Sequence, residues 1–287
     1  MVTRETVRSR YREYVEQYPE NTSLSFESSA DTPYPMQSRA LGDNTFAGIS
    51  RNVIANEDQY LFELDSGVPD ISEIDKALLP TVGAELLGTL MVQATHDHFA
   101  FWERSQSLLE KMTGGSETYG LIPDLYTSVL MLFDQTGRSG VSTGELPLNG
   151  DHISGYLVYP LTEAVAKWFC QDYVEMDGSI KPGRAVIAGN GWIYGPPEDG
   201  DAPDNCSNLG GFLHHAEQVV AEPELQEELE QAREYIARLY GERANNIYQD
   251  VITAQRNRSL HGETEAPVEF GVLLTFIGIL VSAKARN

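Results

Sequence analysis

The sequence predicts a mainly α-helical protein: a helical bundle at the C-terminus, a small irregular, β-containing N-terminal appendage, and a hairpin insertion. Three observations predict it. Apolar residues recur at helical spacing through long segments from residue 71 onward, Gly and Pro punctuate the ends of those segments, and β-capable runs are few and short. The chain divides into an appendage over residues 1–70, a helical region over 71–150 and a C-terminal helical module over 151–287.

In the appendage, Val7, Tyr11, Val15 and Tyr18 share one face of a helix over residues 3–18 that Pro19 stops. Residues 21–35, rich in Ser, Asp, Thr and Pro, read as a loop. The runs 46–49 and 60–64 are β-capable but too weak to organise a sheet of their own. A helix of about 30 residues follows over 81–112, carrying Leu86, Leu87, Leu90, Met91, Phe99, Trp102, Leu108 and Leu109, and Gly114-Gly115 closes it. A second helix spans 123–135 and ends before Gly137, and 134–150 is loop-like. Residues 152–173 form an apolar helix with Leu161, Val165, Trp168 and Phe169 on one side and Glu163 among them. Asp177-Gly178 and Pro182 then open an irregular stretch to residue 207, within which 184–188 and 192–194 flank Gly189-Asn190-Gly191 as a small hairpin. Helices over 223–240 and 242–261 follow, the first burying Leu225, Leu229, Tyr235, Ile236 and Leu239, the second Ile247, Val251 and Ala254. The final helix starts near Pro267. Its stretch 270–283 is uncharged but counts only 14 residues, below the roughly 17 a spanning helix needs, so it reads as a core helix and no membrane partner is expected.

The charge balance is unusual: 43 Asp plus Glu against 20 Lys plus Arg, a net charge of −23, with only five Lys (Lys76, Lys111, Lys167, Lys181, Lys284). This composition resembles that of extreme halophiles, whose proteins carry carboxylates over their surfaces. At molar salt the Debye length is about 3 Å, so self-repulsion between surface carboxylates is largely screened. Acidity then reports habitat; without that reading it counts against any nucleic-acid ligand, because phosphate neutralisation requires Lys and Arg. Cys170 and Cys206 form neither a metal spacing nor a disulfide framework, and the first 19 residues lack the apolar run of a signal peptide, so a cytoplasmic location is expected.

Chemistry concentrates in Arg256-Asn257-Arg258-Ser259-Leu260-His261-Gly262. Arg is always charged and forks onto phosphate oxygens, and His moves a proton near neutral pH. Metal-free cleavage of a phosphodiester needs these groups. On an unbroken α-helix, positions 256 and 261 point roughly 140° apart, so they do not share a face. Either the helix ends before His261, as Gly262 at C′ allows, or two copies of the motif compose the site across a dimer. A plainer reading is a helix stop, with cations on the negative end of the macrodipole and Gly in the left-handed cap.

Arg-Asn-x-x-x-His-Gly at a helix end, then a short acidic loop and a last apolar helix, resembles the signature of the HEPN superfamily of α-helical domains, many of them ribonucleases. The segment 152–173, with its Tyr-Pro-Leu-Thr-Glu-Ala core, resembles the first helix of such domains. The resemblance covers residues 151–287 and rests on a handful of them. It implies a homodimer with apposed motifs and metal-independent attack of an RNA 2′-OH on the adjacent phosphate, with no cofactor. His261 is then general base or acid, Arg256 stabilises the charged transition state, and Asn257 orients His261 or the phosphate. Arg258 falls outside the family pattern and is read as an auxiliary phosphate contact. An antitoxin or defence-system partner is part of the same expectation. The alternative is a non-catalytic helical module that dimerises or binds a nucleotide or RNA.

Glu163 has two open readings, a partner that holds the Arg256 guanidinium or a surface carboxylate. His96 and His98 are two residues apart on a helix and point to different sides, which disfavours a shared metal; adjacent His214 and His215 meet the same objection. Gly189 to Gly195 is followed by Pro196-Pro197, not by a helix, so the dinucleotide fingerprint fails there. Asp151, His152 and Ser154 lie in no Gly-x-Ser-x-Gly elbow.

Overall fold

The chain's apolar stripes are satisfied by a helical assembly wrapped around its last, wholly apolar helix. The computed structural model describes residues 2–9, 74–89, 96–138, 150–189, 191–195, 203–240, 247–260 and 270–286. After a 3-10 turn at Lys76–Leu78 come α1 (Leu79–Thr89), α2 (His96–Thr113), α3 (Ile122–Arg138) and α4 (Gly150–Phe169). The strands β1 (Val186–Ile187) and β2 (Ile193–Tyr194) precede α5 (Leu209–His215), which runs into a π-helical turn at Ala216–Val220. Then come α6 (Pro223–Tyr240), a second π segment at Ile247–Thr253, α7 (Ala254–Leu260) and α8 (Phe270–Lys284).

Several predicted boundaries hold. α6 starts at Pro223, whose missing N–H is harmless at the first helical position. α2 closes at Gly114-Gly115, where the Gly114 N–H reaches the Glu110 carbonyl at 2.7 Å and Gly115 takes φ +86°. The hairpin pairs Val186 with Tyr194 and Ile187 with Ile193 in antiparallel register. Of the single run expected over 81–112, the two described parts, α1 and α2, are helical, and 90–95 lie outside the described residues. Three expectations are corrected. The helix expected over 152–173 ends at Phe169, and 170–173 are turns. α3 runs through Gly137 to Arg138 instead of stopping short of it. The helix expected over 242–261 is described from Ile247 onward, and its first half is wound as π, not α. α5, a segment to which the sequence pattern assigns no helix bounds, is a buried helix in which Leu209, Phe212 and Leu213 face the core and the Asn208 side chain caps the Gly211 N–H.

α8 is buried along its length and packs against α1, α2 and α4, so one apolar cluster joins residues of both helical regions. Close approach is built in at Gly278, where an added Cβ would lie 2.4 Å from the Phe101 ring. The Trp102 indole donates to Thr275 Oγ1 at 2.9 Å, which pins α2 to α8 within the core. Lys284 donates to the Trp168 and Phe169 carbonyls at 2.9 and 3.1 Å, satisfying orphan acceptors at the C-terminus of α4. Residues 4–9 are helical, bury Val7, and dock on α6 through Arg4–Glu224 and Arg8–Glu227. Among the described residues, no helix is long and apolar enough to cross a membrane.

Candidate functional site

The first turn of α7 lies against α4, and the contact is made by charge. Burying Leu161, Val165, Trp168 and Phe169 leaves Glu163 and Lys167, one helical turn apart, along the edge of α4. Arg256 Nη2 donates to Glu163 Oε2 at 2.8 Å, and Lys167 Nζ meets the other carboxylate oxygen, Oε1, at 2.9 Å. Each oxygen of Glu163 therefore has its own cation. Lys167 is held in turn: its Nζ donates to the Met176 carbonyl at 3.1 Å and stands 5.4 Å from the centre of the Phe212 ring.

The side chains of Glu163 and Arg256 are 16% and 24% exposed, so the pair is partly withdrawn from water yet open on one side. A guanidinium carries five N–H donors. Among the described residues Glu163 takes one and Asn257 Oδ1 another, at 3.5 Å, which leaves three for an incoming oxyanion. Asn257 and Arg258 are exposed beside it. The structure thus groups Arg256, Asn257 and Glu163, with Arg258 on the exposed surface of the same turn. His261 lies outside the described residues, as does Gly262.

Lys167 was not singled out from sequence. The signal was present in the spacing of Glu163 to Lys167, an i,i+4 acid–base pair in which the acid is N-terminal, but such pairs are common on solvated helix faces. Its burial, at 8% exposure, is what gives it a role.

No family model, curated protein or solved structure matches this chain.

Of the other residues considered, His98 and the two cysteines are packed in the core. His98 is buried, with Nε2 3.0 Å from the Leu86 carbonyl and its ring edge-on to Trp102. The side chains of His96, Asp151, His152 and Ser154 lie outside those described. Burial pushes the Cys170 thiol up to about 12 and the Cys206 thiol up to about 11, which makes both poor nucleophiles. Among the described residues, no three His, Cys, Asp or Glu side chains converge to hold a metal ion.

Proposed function

We propose that the chain is a metal-independent endoribonuclease of HEPN type, cutting RNA in a cleft formed where two copies of α7 face each other. The observation that carries the reading is the bracing of Arg256. A residue serving only as a helix stop would be solvated, whereas this guanidinium is set against Glu163, which Lys167 fixes in place, and three of its donors meet no partner among the described residues. In the proposed step the RNA 2′-oxygen bonds to the adjacent phosphorus as its proton passes to a base. The P–O5′ bond breaks, and an acid returns a proton to the 5′-oxygen. The products are a 2′,3′-cyclic phosphate and a 5′-hydroxyl. His261 supplies the proton transfers, Arg256 neutralises charge on the phosphorane-like transition state, Asn257 orients the phosphate or the imidazole, and Arg258 contacts a flanking phosphate.

The test is incubation of the purified chain with end-labelled RNA in molar KCl plus EDTA. A cyclic-phosphate-ended product is expected from the wild type, with a loss of about a hundredfold or more in His261→Ala and in Arg256→Ala. The Glu163 contact also favours a second reading, in which Arg256 ties α7 to α4 in a non-catalytic dimerisation or binding module. Absence of product from the wild type, with a dimer that persists, selects that module.

A further inference from the structure

Whether Arg256 meets Glu163 depends on how α7 is rotated about its axis, and that rotation is inherited from the π segment before it. We infer that Thr253, held by the Gly210 backbone, keeps residues 247–253 in π register and thereby positions Arg256. This rests on the ribonuclease reading for its consequence in catalysis, but the positioning itself can be measured without any reaction.

Hydroxyl side chains report the local register. In the α-helices, Thr113, Thr162, Thr275 and Ser282 all donate to the carbonyl four residues back, at 2.7–2.8 Å: Leu109, Val158, Gly271 and Gly278. Thr253 instead donates five residues back, to the Tyr248 carbonyl at 2.9 Å. The same oxygen accepts the Gly210 N–H at 2.9 Å and lies 3.4 Å from Asn208 Oδ1. The fit leaves no room for a side chain at position 210, since a Cβ there would lie 2.6 Å from the Tyr248 carbonyl oxygen and 2.7 Å from Thr253 Oγ1.

Two more contacts hold the segment from its flanks. Asn208 Nδ2 donates to Gln249 Oε1 at 3.0 Å, and the Tyr248 hydroxyl donates to buried Glu217 at 2.6 Å, which also pairs with Arg233 at 3.2 Å. A π segment is uncommon and persists where its surroundings hold it. Each π residue advances by about 80° against about 100° in an α-helix, so rewinding the seven residues from Ile247 to Thr253 would turn α7 by roughly 140°. Arg256 would then leave Glu163.

The experiment follows the Arg256 side-chain N–H signals by 15N NMR in the full chain, assigned by their disappearance in Arg256→Lys, with RNA cleavage measured in parallel. Thr253→Val keeps the shape and removes the hydroxyl, Thr253→Ser restores it, and Gln249→Ala removes one exposed hydrogen bond. In Thr253→Val the Arg256 signals are expected to collapse onto those of solvated arginines and kcat to fall about tenfold or more, with KM little changed, while Thr253→Ser keeps both near wild type. Unchanged signals in Thr253→Val, or a Ser variant no better than the Val variant, overturn the inference. Should Thr253→Val fail to fold, Thr253→Ala, which also removes the hydroxyl, decides: collapsed Arg256 signals support the inference and unchanged ones overturn it, while Gln249→Ala, which leaves the Thr253 bonds in place, is expected to keep them. If the wild type cuts no RNA, the ribonuclease reading falls alone, because the arginine signals still report the rotation of α7.

Discussion

His215 is a residue that the fold requires to be uncharged. Its Nδ1 accepts the Ile187 N–H at 3.2 Å, so a lone pair must be present there, and its ring stands edge-on to Tyr173 with centroids 4.6 Å apart. The side chain is inaccessible to solvent, and burial, assisted by neighbouring His214, lowers its pKa to about 4. An unfolded histidine titrates near 6.5, so between about 4 and 6.5 the unfolded chain binds the extra proton. This contribution to stability is complete above about pH 6.5 and is lost progressively as pH falls towards 4, up to about 3 kcal/mol from this one group. Urea midpoints measured across that range in wild type and His215→Gln should converge at low pH, because the variant lacks the slope. A parallel slope in both proteins would show that His215 is not the group that titrates. Nothing in the sequence distinguished His215 from His214. The difference is that one imidazole meets a strand amide and the other does not.

Among elements, the α2–α8 contact depends on the absence of a side chain at Gly278. A Cβ at Gly278 would lie 2.4 Å from Phe101 Cε1 and 2.8 Å from Ser105 Oγ, and Phe101 is itself fully buried with nowhere to retreat. Gly278→Ala should therefore destabilise the fold by about 1–3 kcal/mol through overpacking, despite the higher helix propensity of Ala, and thermal unfolding would show a lowered midpoint. An unchanged or raised midpoint would mean that the helices can separate without cost. Helices such as α6 were legible because Pro223 and a 3.6-residue apolar period agree with each other. α5 was not, because Leu-Gly-Gly-Phe-Leu-His-His has poor intrinsic propensity, and its helix is held by burial of Leu209, Phe212 and Leu213 and by the cap at Asn208. The π segment was invisible for a different reason: a hydrophobic period read over one or two turns does not separate windings of 3.6 residues from wider ones.

Over the whole molecule, a net charge of −23 is expected to govern how stability responds to salt. Repulsion among surface carboxylates is screened as the Debye length falls from about 10 Å at 0.1 M to about 3 Å at 1 M salt. The urea midpoint should rise steadily over that range in KCl, whereas a flat or falling midpoint would remove the halophilic interpretation of the composition. The partly buried Glu163–Arg256 and Glu163–Lys167 pairs are less exposed to that screening than the surface pair Arg4–Glu224. The proposed RNA substrate meets the same field, so its binding is expected to be weak at low salt, where phosphates are repelled most strongly.

Sequence alone specifies the mainly helical class, the extent of α6 and the hairpin, and it places an apolar core helix at the end of the chain. Those features follow from periodicity, from Gly and Pro, and from residue chemistry, all of which act within a few positions along the chain. Only the tertiary structure decided that Glu163 is the partner of Arg256, that Lys167 braces it, and that Thr253 and Gly210 meet at the π segment. Glu163 and Arg256 stand 93 positions apart, and Gly210 and Thr253 stand 43 apart. Contacts across such separations are set by how buried faces pack, which local patterning does not encode.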